Sequence, residues 1–331
     1  MKSRLITVFG ASGFIGSYVV KRLAKQGYLV RAAVRDPSGA SFLKPMGDVG
    51  QVTPVQANVR NQESVIKVID GADGVINLVG IFRQIGRQRF DAVHCQGATN
   101  VAQAAADVGS RYLVHMSALG ASLCSPSIYL KSKAAGEKSV TKVFPNATII
   151  RPSVVFGPQD VFFNRLATLA CFSPVMPVMG CPYPKYNAGR IDFFGNGGTL
   201  FQPVYAGDVA DAIVQTIEDD THAGKIRDLG GPEVFSFKEI IEKILHNTGR
   251  RKFLVPVPFG LASTVAFLAE LLPVPPLTRD QVTLLRNNSV LDGEANGFLP
   301  FDITPTSVDV MLPSYLDKYC KGGRFSRFSG A

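Results

Sequence analysis

Tryptophan is absent from this sequence, histidine is scarce, and the five cysteines form no Cys-x-x-Cys pair. Scattered cysteines in an odd number indicate a reducing compartment and argue against structural zinc or an iron–sulfur cluster. The four histidines show no metal-ligand spacing with one another or with the cysteines, so we expect no metal site. No recognisable nucleic-acid-binding motif is present either, and a nucleic acid is the least expected anionic partner.

A membrane-spanning run is missing as well. The most apolar stretch, Phe259 to Leu272, contains Glu270 and is shorter than the roughly 20 residues that a spanning helix needs. We expect it to be a buried helix of the small domain, and the alternative is an interfacial or partner-binding helix, which the adjacent Pro273 to Pro276 run and the basic tail would suit. An apolar strand already begins within a few residues of Met1, which leaves no room for a signal or transit peptide, so we expect the protein to stay in a bacterial cytoplasm.

Acidic residues are few relative to basic ones. Lysine and arginine total 35 against 26 aspartates and glutamates, which gives a net charge of +9 and predicts an anionic partner. The tail from Lys318 to Ala331 contains no acid and places four basic residues beside Phe325 and Phe328. This composition suits an anionic lipid surface or a protein groove, and a frayed chain end is the alternative.

The sequence does contain a regular alternation of strands and helices. With 331 residues, 46% hydrophobic and 18% charged, the chain can bury a substantial core. The alternation predicts an α/β fold built on a Rossmann-like, doubly wound parallel sheet. We expect a dinucleotide-binding Rossmann domain over residues 1–152 and a smaller mixed α/β cap domain over residues 153–331, some of whose elements return to the sheet.

The apolar periodicity also predicts where each element lies. In the first domain the predicted strands are Leu5–Phe9, Leu29–Val34, Val52–Gln56, Gly74–Val79, Tyr112–Met116 and Ala147–Ile150, and the predicted helices are Phe14–Leu23, Gln62–Ile69, Arg87–Val108 and Ser127–Phe144. In the second domain a helix over Phe162–Cys171 precedes a long irregular loop that reaches Gly198. Regular elements then return at Gly207–Glu218, Ile226–Leu229, Phe237–Asn247 and Phe253–Val257.

Three glycines, Gly10, Gly13 and Gly16, separate the first strand from the first helix. A tight turn requires positive φ there, and a side chain would keep a pyrophosphate from the backbone N–H groups at the helix N-terminus. The spacing is one residue wider than Gly-x-Gly-x-x-Gly. Its position between a strand and a helix predicts a dinucleotide site, and a merely tight turn is the alternative.

The end of the second strand indicates which dinucleotide binds. An NAD site places a carboxylate there to accept the ribose 2′-OH, whereas a 2′-phosphate requires a cation. The chain has Arg35 at this position and no acidic residue before it, which favours NADPH. Asp36 follows at once and keeps NADH as the alternative.

Tyr129 and Lys133 form a Tyr-x-x-x-Lys pair on a predicted helix, so that both side chains share one face. A nearby ammonium lowers the pKa of a phenol and can also hold the nicotinamide ribose. The pair is therefore a candidate acid/base for carbonyl or alcohol chemistry.

These motifs resemble an extended or atypical short-chain dehydrogenase/reductase over roughly the whole chain. The matching residues are Gly10 to Gly16, Asn77 to Gly80, Asn100, Tyr129, Lys133, Arg151-Pro152 and Gln202 to Ala210. Together with Arg35, the resemblance implies a cofactor-binding set of Gly10, Ser12, Gly13, Phe14, Ile15, Gly16, Arg35, Asn58, Val59, Val79, Gly80, Ser117, Tyr129, Lys133 and Pro152.

The resemblance also bears on turnover. In such enzymes the fifth strand ends in Ser-Ser or Ser-Thr, whereas this chain has Ser117-Ala118, so that Ala118 occupies the catalytic hydroxyl position. The loss of a positioned hydroxyl raises a reaction barrier by several kcal/mol. We therefore expect no independent turnover and treat Tyr129, Lys133 and Ser117 as vestigial catalytic residues.

A narrower resemblance covers the C-terminal half. Gly157 to Asn164, Leu277 to Asn288 and Leu312 to Tyr319 are similar to the Rossmann-type accessory subunit of respiratory complex I (NADH:quinone oxidoreductase). This resemblance implies tight NADPH binding without turnover, other complex I subunits as partners, and a peripheral position on the cytoplasmic face of a bacterial inner membrane. The alternative is a free-standing NADP-dependent reductase or sugar-nucleotide epimerase.

Overall fold

The computed structural model describes residues 4–182, 185–187, 190–272, 275–293 and 297–322. The chain divides into two compact units. The first unit comprises Met1–Pro152, Ala206–Leu229 and Gly297–Thr304, and the second comprises Ser153–Tyr205, Gly230–Asn296 and Pro305–Ala331. The first unit is therefore assembled from three separate stretches of sequence.

The regular elements are numbered in chain order. The strands are β1 (Leu5–Phe9), β2 (Leu29–Val34), β3 (Val52–Gln56), β4 (Gly74–Asn77), β5 (Tyr112–Met116), β6 (Thr148–Pro152), β7 (Val155–Phe156), β8 (Val175–Met179), β9 (Lys185–Asn187), β10 (Arg190–Asp192), β11 (Leu200–Phe201), β12 (Val204–Tyr205), β13 (Ile226–Leu229), β14 (Phe235–Ser236) and β15 (Phe253–Val257). The α-helices are α1 (Phe14–Lys25), α2 (Gln62–Ile69), α3 (Gly97–Asp107), α4 (Ile128–Val143), α5 (Phe162–Phe172), α6 (Ala206–Gln215), α7 (Phe237–Thr248), α8 (Phe259–Ala269), α9 (Arg279–Leu285) and α10 (Val308–Tyr315). Short 3₁₀ segments lie at Ser41–Met46, Asp220–His222, Leu299–Phe301 and Asp317–Tyr319, and a π-helical turn lies at Asp91–Gln96.

The first unit is built on a seven-stranded sheet in the order β13-β6-β5-β4-β1-β2-β3, with all neighbouring strands parallel. The predicted doubly wound parallel sheet is confirmed. The strand order reverses between β1 and β4, and in such sheets ligands bind outside the carboxyl ends of the strands at that reversal. The glycine turn follows β1 at this point.

In this unit the helices pack against the sheet through buried apolar side chains. Strands β4 and β5 are buried at every position, as expected for central parallel strands covered on both faces. One core packs the buried stripes of α2, α3 and α4 onto the sheet. Helix α1 packs against α6, and the Arg22 guanidinium makes an ion pair with Asp211 between these two helices.

The second unit has a separate core, formed by α5, α7, α10 and the strands between them. The long irregular loop predicted up to Gly198 is wrong, because residues 175–192 contain β8, β9 and β10. Strand β8 pairs in parallel with β15, and β9 pairs with β10 in an antiparallel hairpin. These strands have only three to five residues, which is too few for the apolar periodicity to be recognised in the sequence.

Helix α8 is solvent-facing, so the prediction of a buried helix is wrong. It buries only Ala262 and Ala266, which pack against Val282 of α9. Six large apolar side chains stand exposed on α8 and the turn after it, namely Leu261, Val265, Phe267, Leu268, Leu271 and Leu272. None of the helices in the described residues is both long and apolar enough to cross a bilayer. The basic residues predicted at 324 and 327, and Phe325 and Phe328 beside them, lie outside the described residues.

Candidate functional site

The glycine turn lies between β1 and α1, at the carboxyl edge of the sheet. Of the three predicted glycines only Gly10 has a positive φ, +77°, and a Cβ there would lie 3.2 Å from the Leu78 carbonyl carbon. A Cβ on Gly16 would lie 2.2 Å from the Gly10 carbonyl oxygen. Positive φ therefore explains Gly10, whereas the close approach of α1 to the turn explains Gly16.

The start of α1 is open to an anion. Its N-cap is Gly13, which supplies no side-chain cap, and the first turn contains no acid. Ser12 is exposed, and Phe14 and Ile15 are half-buried. The first N–H groups of a helix have no intrahelical acceptor, and the helix dipole favours negative charge beside them. This end of α1 can bind a pyrophosphate.

Arg35 and Asp36 follow β2 at the same edge and differ in what they contact. Asp36 Oδ1 accepts the Ser38 N–H at 3.0 Å, so this carboxylate closes the turn after β2. Arg35 is exposed, and its guanidinium has no hydrogen bond or ion pair with any residue that the structure describes. The cation is therefore available to a ligand, while one carboxylate oxygen of Asp36 is already engaged.

The residues after β3 and β4 are held by two buried asparagines. The Val59 carbonyl accepts from Asn100 Nδ2 at 2.8 Å, and the Val79 N–H donates to Asn77 Oδ1 at 3.2 Å. Asn58 lies half-buried two residues after the end of β3. These contacts place the predicted cofactor residues Asn58, Val59 and Val79 at one edge of the sheet.

Tyr129 and Lys133 lie on α4 and are both buried. The Ser127 side chain caps this helix by accepting the Leu130 N–H. Lys133 Nζ donates to the Met116 carbonyl at 3.0 Å, and a Cβ on Gly80 would lie 3.2 Å from the same nitrogen. Lys133 therefore joins α4 to the ends of β4 and β5.

A second anchor fixes α4 to β6. The Arg151 guanidinium donates to both carboxylate oxygens of Glu137, at 2.8 and 2.5 Å. Glu137 is buried and Arg151 is half-buried, so the bidentate pair is shielded from water. Pro152, the next residue, is buried, and its carbonyl accepts the Leu119 N–H at 3.0 Å.

The electrostatics of the Tyr129–Lys133 pair differ from the prediction. Burial raises the pKa of Tyr129. Burial also lowers the pKa of Lys133 to about 8. The negative charge of Glu137 acts in the opposite direction and raises this pKa. The expectation that the ammonium would lower the phenol pKa is therefore wrong, because desolvation outweighs it, and the phenol stays protonated at neutral pH.

His94 belongs to this site although its residue type and spacing did not indicate it. Its Nε2 accepts the Ile81 N–H at 3.0 Å, and its Nδ1 lies 2.8 Å from the Ser132 hydroxyl, which donates to the Tyr129 carbonyl at 2.6 Å. Burial, followed by the Lys133 charge, lowers the pKa of His94 to about 3. His94 is thus a neutral imidazole with its proton on Nδ1.

A second buried histidine, His115, lies on β5 beside Asn77. Its Nδ1 is 3.3 Å from the Asn77 amide nitrogen, and burial lowers its pKa to about 3. His115 Nε2 and the hydroxyl of Ser117 are buried without a hydrogen-bond partner in the described part of the chain. Ala118, half-buried after them, carries no hydroxyl.

The predicted cofactor residues fit a dinucleotide. An open helix N-terminus at Gly13 suits the pyrophosphate, the unpaired cation of Arg35 suits a phosphate, and the unsatisfied Ser117 hydroxyl requires a polar partner. These groups all follow the carboxyl ends of parallel strands in the first unit. Among the described residues, no group of three or more His, Cys, Asp or Glu side chains could hold a metal ion.

Comparison with known proteins agrees with this geometry. Residues 6–230 match the model of the NAD dependent epimerase/dehydratase family. The chain is 34% identical to the mitochondrial NADH dehydrogenase (ubiquinone) 1 alpha subcomplex subunit 9 of Arabidopsis thaliana, over 96% of this chain and 78% of that protein. It is 31% identical to the mitochondrial NADH-ubiquinone oxidoreductase 40 kDa subunit of Neurospora crassa, over 95% of this chain and 79% of that protein.

The fold also matches a solved structure. An NADPH-dependent quinone oxidoreductase from Escherichia coli, solved in complex with NADPH, superimposes with a TM-score of 0.69. It is 17% identical to this chain and covers 92% of this chain and 97% of its own. At this identity the match concerns the fold alone.

Proposed function

The chain belongs to the NAD-dependent epimerase/dehydratase family, and we propose that it is an NADPH-holding accessory subunit of respiratory complex I without turnover of its own. The observation that carries this proposal is the similarity, over 95–96% of the chain, to proteins that are named as subunits of NADH-ubiquinone oxidoreductase. The similarity extends through the second unit and is therefore not limited to the Rossmann elements.

The ligand of the first unit is a nicotinamide dinucleotide, and we assign it as NADPH. Arg35 supports this assignment because its exposed guanidinium is unpaired among the described residues and follows β2, where a 2′-phosphate requires a cation. Asp36, which would bind the 2′-OH of NADH, instead closes a turn through Ser38.

The site supports retention of the dinucleotide more than chemistry. Ala118 removes the hydroxyl that would polarise a carbonyl, and burial raises the pKa of the Tyr129 phenol, which makes it a weaker proton donor. Lys133 remains buried between Met116 and Gly80, where it can hold a ribose. A ligand that binds only the folded state stabilises it by mass action, so a retained dinucleotide acts as a structural cofactor.

The exposed apolar face of α8 supports a peripheral position at a membrane. Phe267 and Leu268 are exposed at 53% and 58%, and the guanidinium of Arg279 lies over the Phe267 ring. Apolar side chains exposed along one helix suit the interface of a bilayer, while Arg279 there is ion-paired with Glu270. We propose that α8 faces the lipid surface beside complex I, on the cytoplasmic side of a bacterial inner membrane.

A free-standing reductase or epimerase is the second candidate. The observation that favours it is the intact Tyr129–Lys133 pair on α4, both members of which are buried at the carboxyl edge of the sheet. Under this alternative Tyr129 would be the acid/base and Ser117 would replace the missing hydroxyl.

Solubilisation of native membranes in mild detergent tests the proposal. The chain should migrate with complex I, and denaturation of the purified complex should release NADPH. The variant Tyr129→Phe should retain nucleotide and assembly, because a structural cofactor does not need the phenol proton. A chain that remains in the soluble fraction and oxidises NADPH with a carbonyl compound, with loss of that activity in Tyr129→Phe, would instead be a reductase.

A further inference from the structure

Residues 81–90, here called the strap, connect the turn after β4 to the π-helical turn. They contain three arginines and no acid. The strap is attached at its start by the Ile81 N–H, which donates to His94, and at its end by the buried ring of Phe90. In the middle, Ile85 and Gln88 exchange backbone hydrogen bonds at 3.1 and 3.0 Å. It is therefore a surface hairpin that is fixed at both ends.

The strap places Phe82 on the ring of Tyr129. The two ring centroids are 5.2 Å apart and the rings are inclined by 22°, which is a stacked arrangement. Phe82 is 69% exposed, yet Tyr129 is only 7% exposed. The Phe82 ring therefore covers the phenol from the solvent side without entering the core itself.

Two further rings contact Tyr129. Phe90 and His94 approach it edge-on, with centroid distances of 5.9 and 5.6 Å. Both are buried, and His94 is held through Ile81 and Ser132. These two rings are buried in the core, whereas Phe82 is exposed and stacks on Tyr129 from the strap.

We propose that Phe82 is a specificity-determining residue that excludes a carbonyl substrate from Tyr129 while a dinucleotide is held. Proton transfer from the phenol requires a substrate oxygen at about 2.6–3.2 Å. The stacked ring occupies the solvent-side approach along which such a substrate would arrive. The inference rests on the proposed function, since it explains why a buried Tyr–Lys pair is kept without turnover.

The extent to which N-acetylimidazole acetylates Tyr129 measures how far Phe82 shields the phenol from solvent. Trypsin leaves Tyr112 and Tyr129 in one peptide, because the sequence has no lysine or arginine between Arg111 and Lys131. Tyr112, a buried tyrosine at the far end of β5, serves as an internal reference. The ratio of acetylation at the two tyrosines is then read from one fragment by tandem mass spectrometry, on full-length protein with and without added NADPH.

We expect Phe82→Ala to raise acetylation of Tyr129 relative to Tyr112 by about 2- to 12-fold, the range that corresponds to one aromatic stack. Phe82→Trp keeps a ring over the phenol and should react as the wild type does. Ile85→Ala is the matched control, since Ile85 is an exposed apolar residue of the same strap.

Three results would overturn the inference: equal rates in the wild type and Phe82→Ala, a Phe82→Trp rate as high as that of Phe82→Ala, or an equal rise in Ile85→Ala. The last result would mean that any loosening of the strap exposes Tyr129. Nucleotide content is measured on the same samples. A nucleotide-free preparation would contradict the proposed function, whereas the acetylation ratio still decides the role of Phe82.

Discussion

The phenol of Tyr315 donates to Asp160 Oδ2 at 3.0 Å, across 155 residues of sequence. Asp160 Oδ1 accepts the Phe163 N–H at 2.6 Å, so the same buried carboxylate caps the start of α5 and anchors α10. Burial raises the pKa of Asp160, and its hydrogen bonds, first that from the Gly157 N–H, oppose the rise. The motifs Gly157 to Asn164 and Leu312 to Tyr319, which resemble complex I subunits in sequence, are thus joined by this hydrogen bond within the second unit.

Removal of the Tyr315 hydroxyl should destabilise the protein. We expect Tyr315→Phe to lower the free energy of unfolding by about 1.5–3 kcal/mol, since it leaves a buried carboxylate short of one hydrogen bond. Tyr319→Phe is the matched control. The Tyr319 phenol donates to Asn164 Oδ1 at 2.9 Å in a half-buried, neutral contact, for which we expect about 0.5–1.5 kcal/mol. Urea unfolding measures both, and equal losses would argue against a special role for Asp160.

The glycine turn should be intolerant of a methyl group at Gly16. A Cβ there would lie 2.2 Å from the Gly10 oxygen and 2.8 Å from the Ala11 Cα, so Gly16→Ala must displace α1. We expect a loss of about 3–5 kcal/mol in unfolding free energy and loss of nucleotide binding. Gly27→Ala is the control, because Gly27 has a φ of +83° but open space around it, and should cost about 1–2 kcal/mol. Thermal unfolding with and without NADPH distinguishes the two variants.

Arg35 should discriminate between the two nicotinamide dinucleotides. We expect Arg35→Ala to weaken NADPH binding by about 10- to 100-fold, the loss of one charge-assisted contact, and to leave NADH binding unchanged. Lys25→Ala, which removes an exposed cation from the far end of α1, should alter neither affinity. Fluorescence titration of the reduced dinucleotides measures this, and an unchanged NADPH affinity in Arg35→Ala would disprove the 2′-phosphate assignment.

Acid should destabilise the first unit through its buried histidines. The pKa values of His94 and His115 are about 3 in the folded state and 6.5 in the unfolded chain. Between pH 6.5 and 3 the unfolded state binds these two protons and the folded state does not, so stability falls as the pH falls, with each histidine contributing about 1.4 kcal/mol per pH unit.

Urea midpoints between pH 4 and 7 provide the measurement. His94→Gln should remove one histidine's share of the pH dependence, whatever it does to stability at neutral pH. His246→Gln, which replaces an exposed histidine of α7, is the matched control. If His94→Gln and His246→Gln give the same slope, the buried imidazole is not responsible.

Several strands were predicted from their apolar runs, whereas the two-residue strands were not. Strands β1, β2, β3, β5, β13 and β15 begin and end where the apolar runs predicted. The predicted helix from Arg87 instead begins as a π-helical turn at Asp91, after the strap. Strands β7, β11, β12 and β14 have two residues each, and such short strands depend on their pairing partners rather than on a local pattern.

The residues of the candidate site also fall into those that the sequence predicted and those that it did not. Gly10, Gly16, Tyr129 and Lys133 are recognisable because a turn or one helix face fixes their spacing. His94 and Phe82 were missed, since each acquires its role only when the chain after β4 folds back over α4. The pKa of Tyr129 was predicted in the wrong direction because burial, which sets it, is a property of the folded state.

The discontinuity of the first unit has a consequence for its synthesis. Strand β13, at the sheet edge beyond β6, and α6, which covers α1, are translated after residue 205. The buried rings of Phe298 and Phe301 follow later still. A nascent chain halted at residue 152 would therefore present β6 as an unpaired edge and α1 as a bare apolar surface at the ribosome exit. The first unit can therefore be completed only after residue 304 has been translated, more than 150 residues after β6.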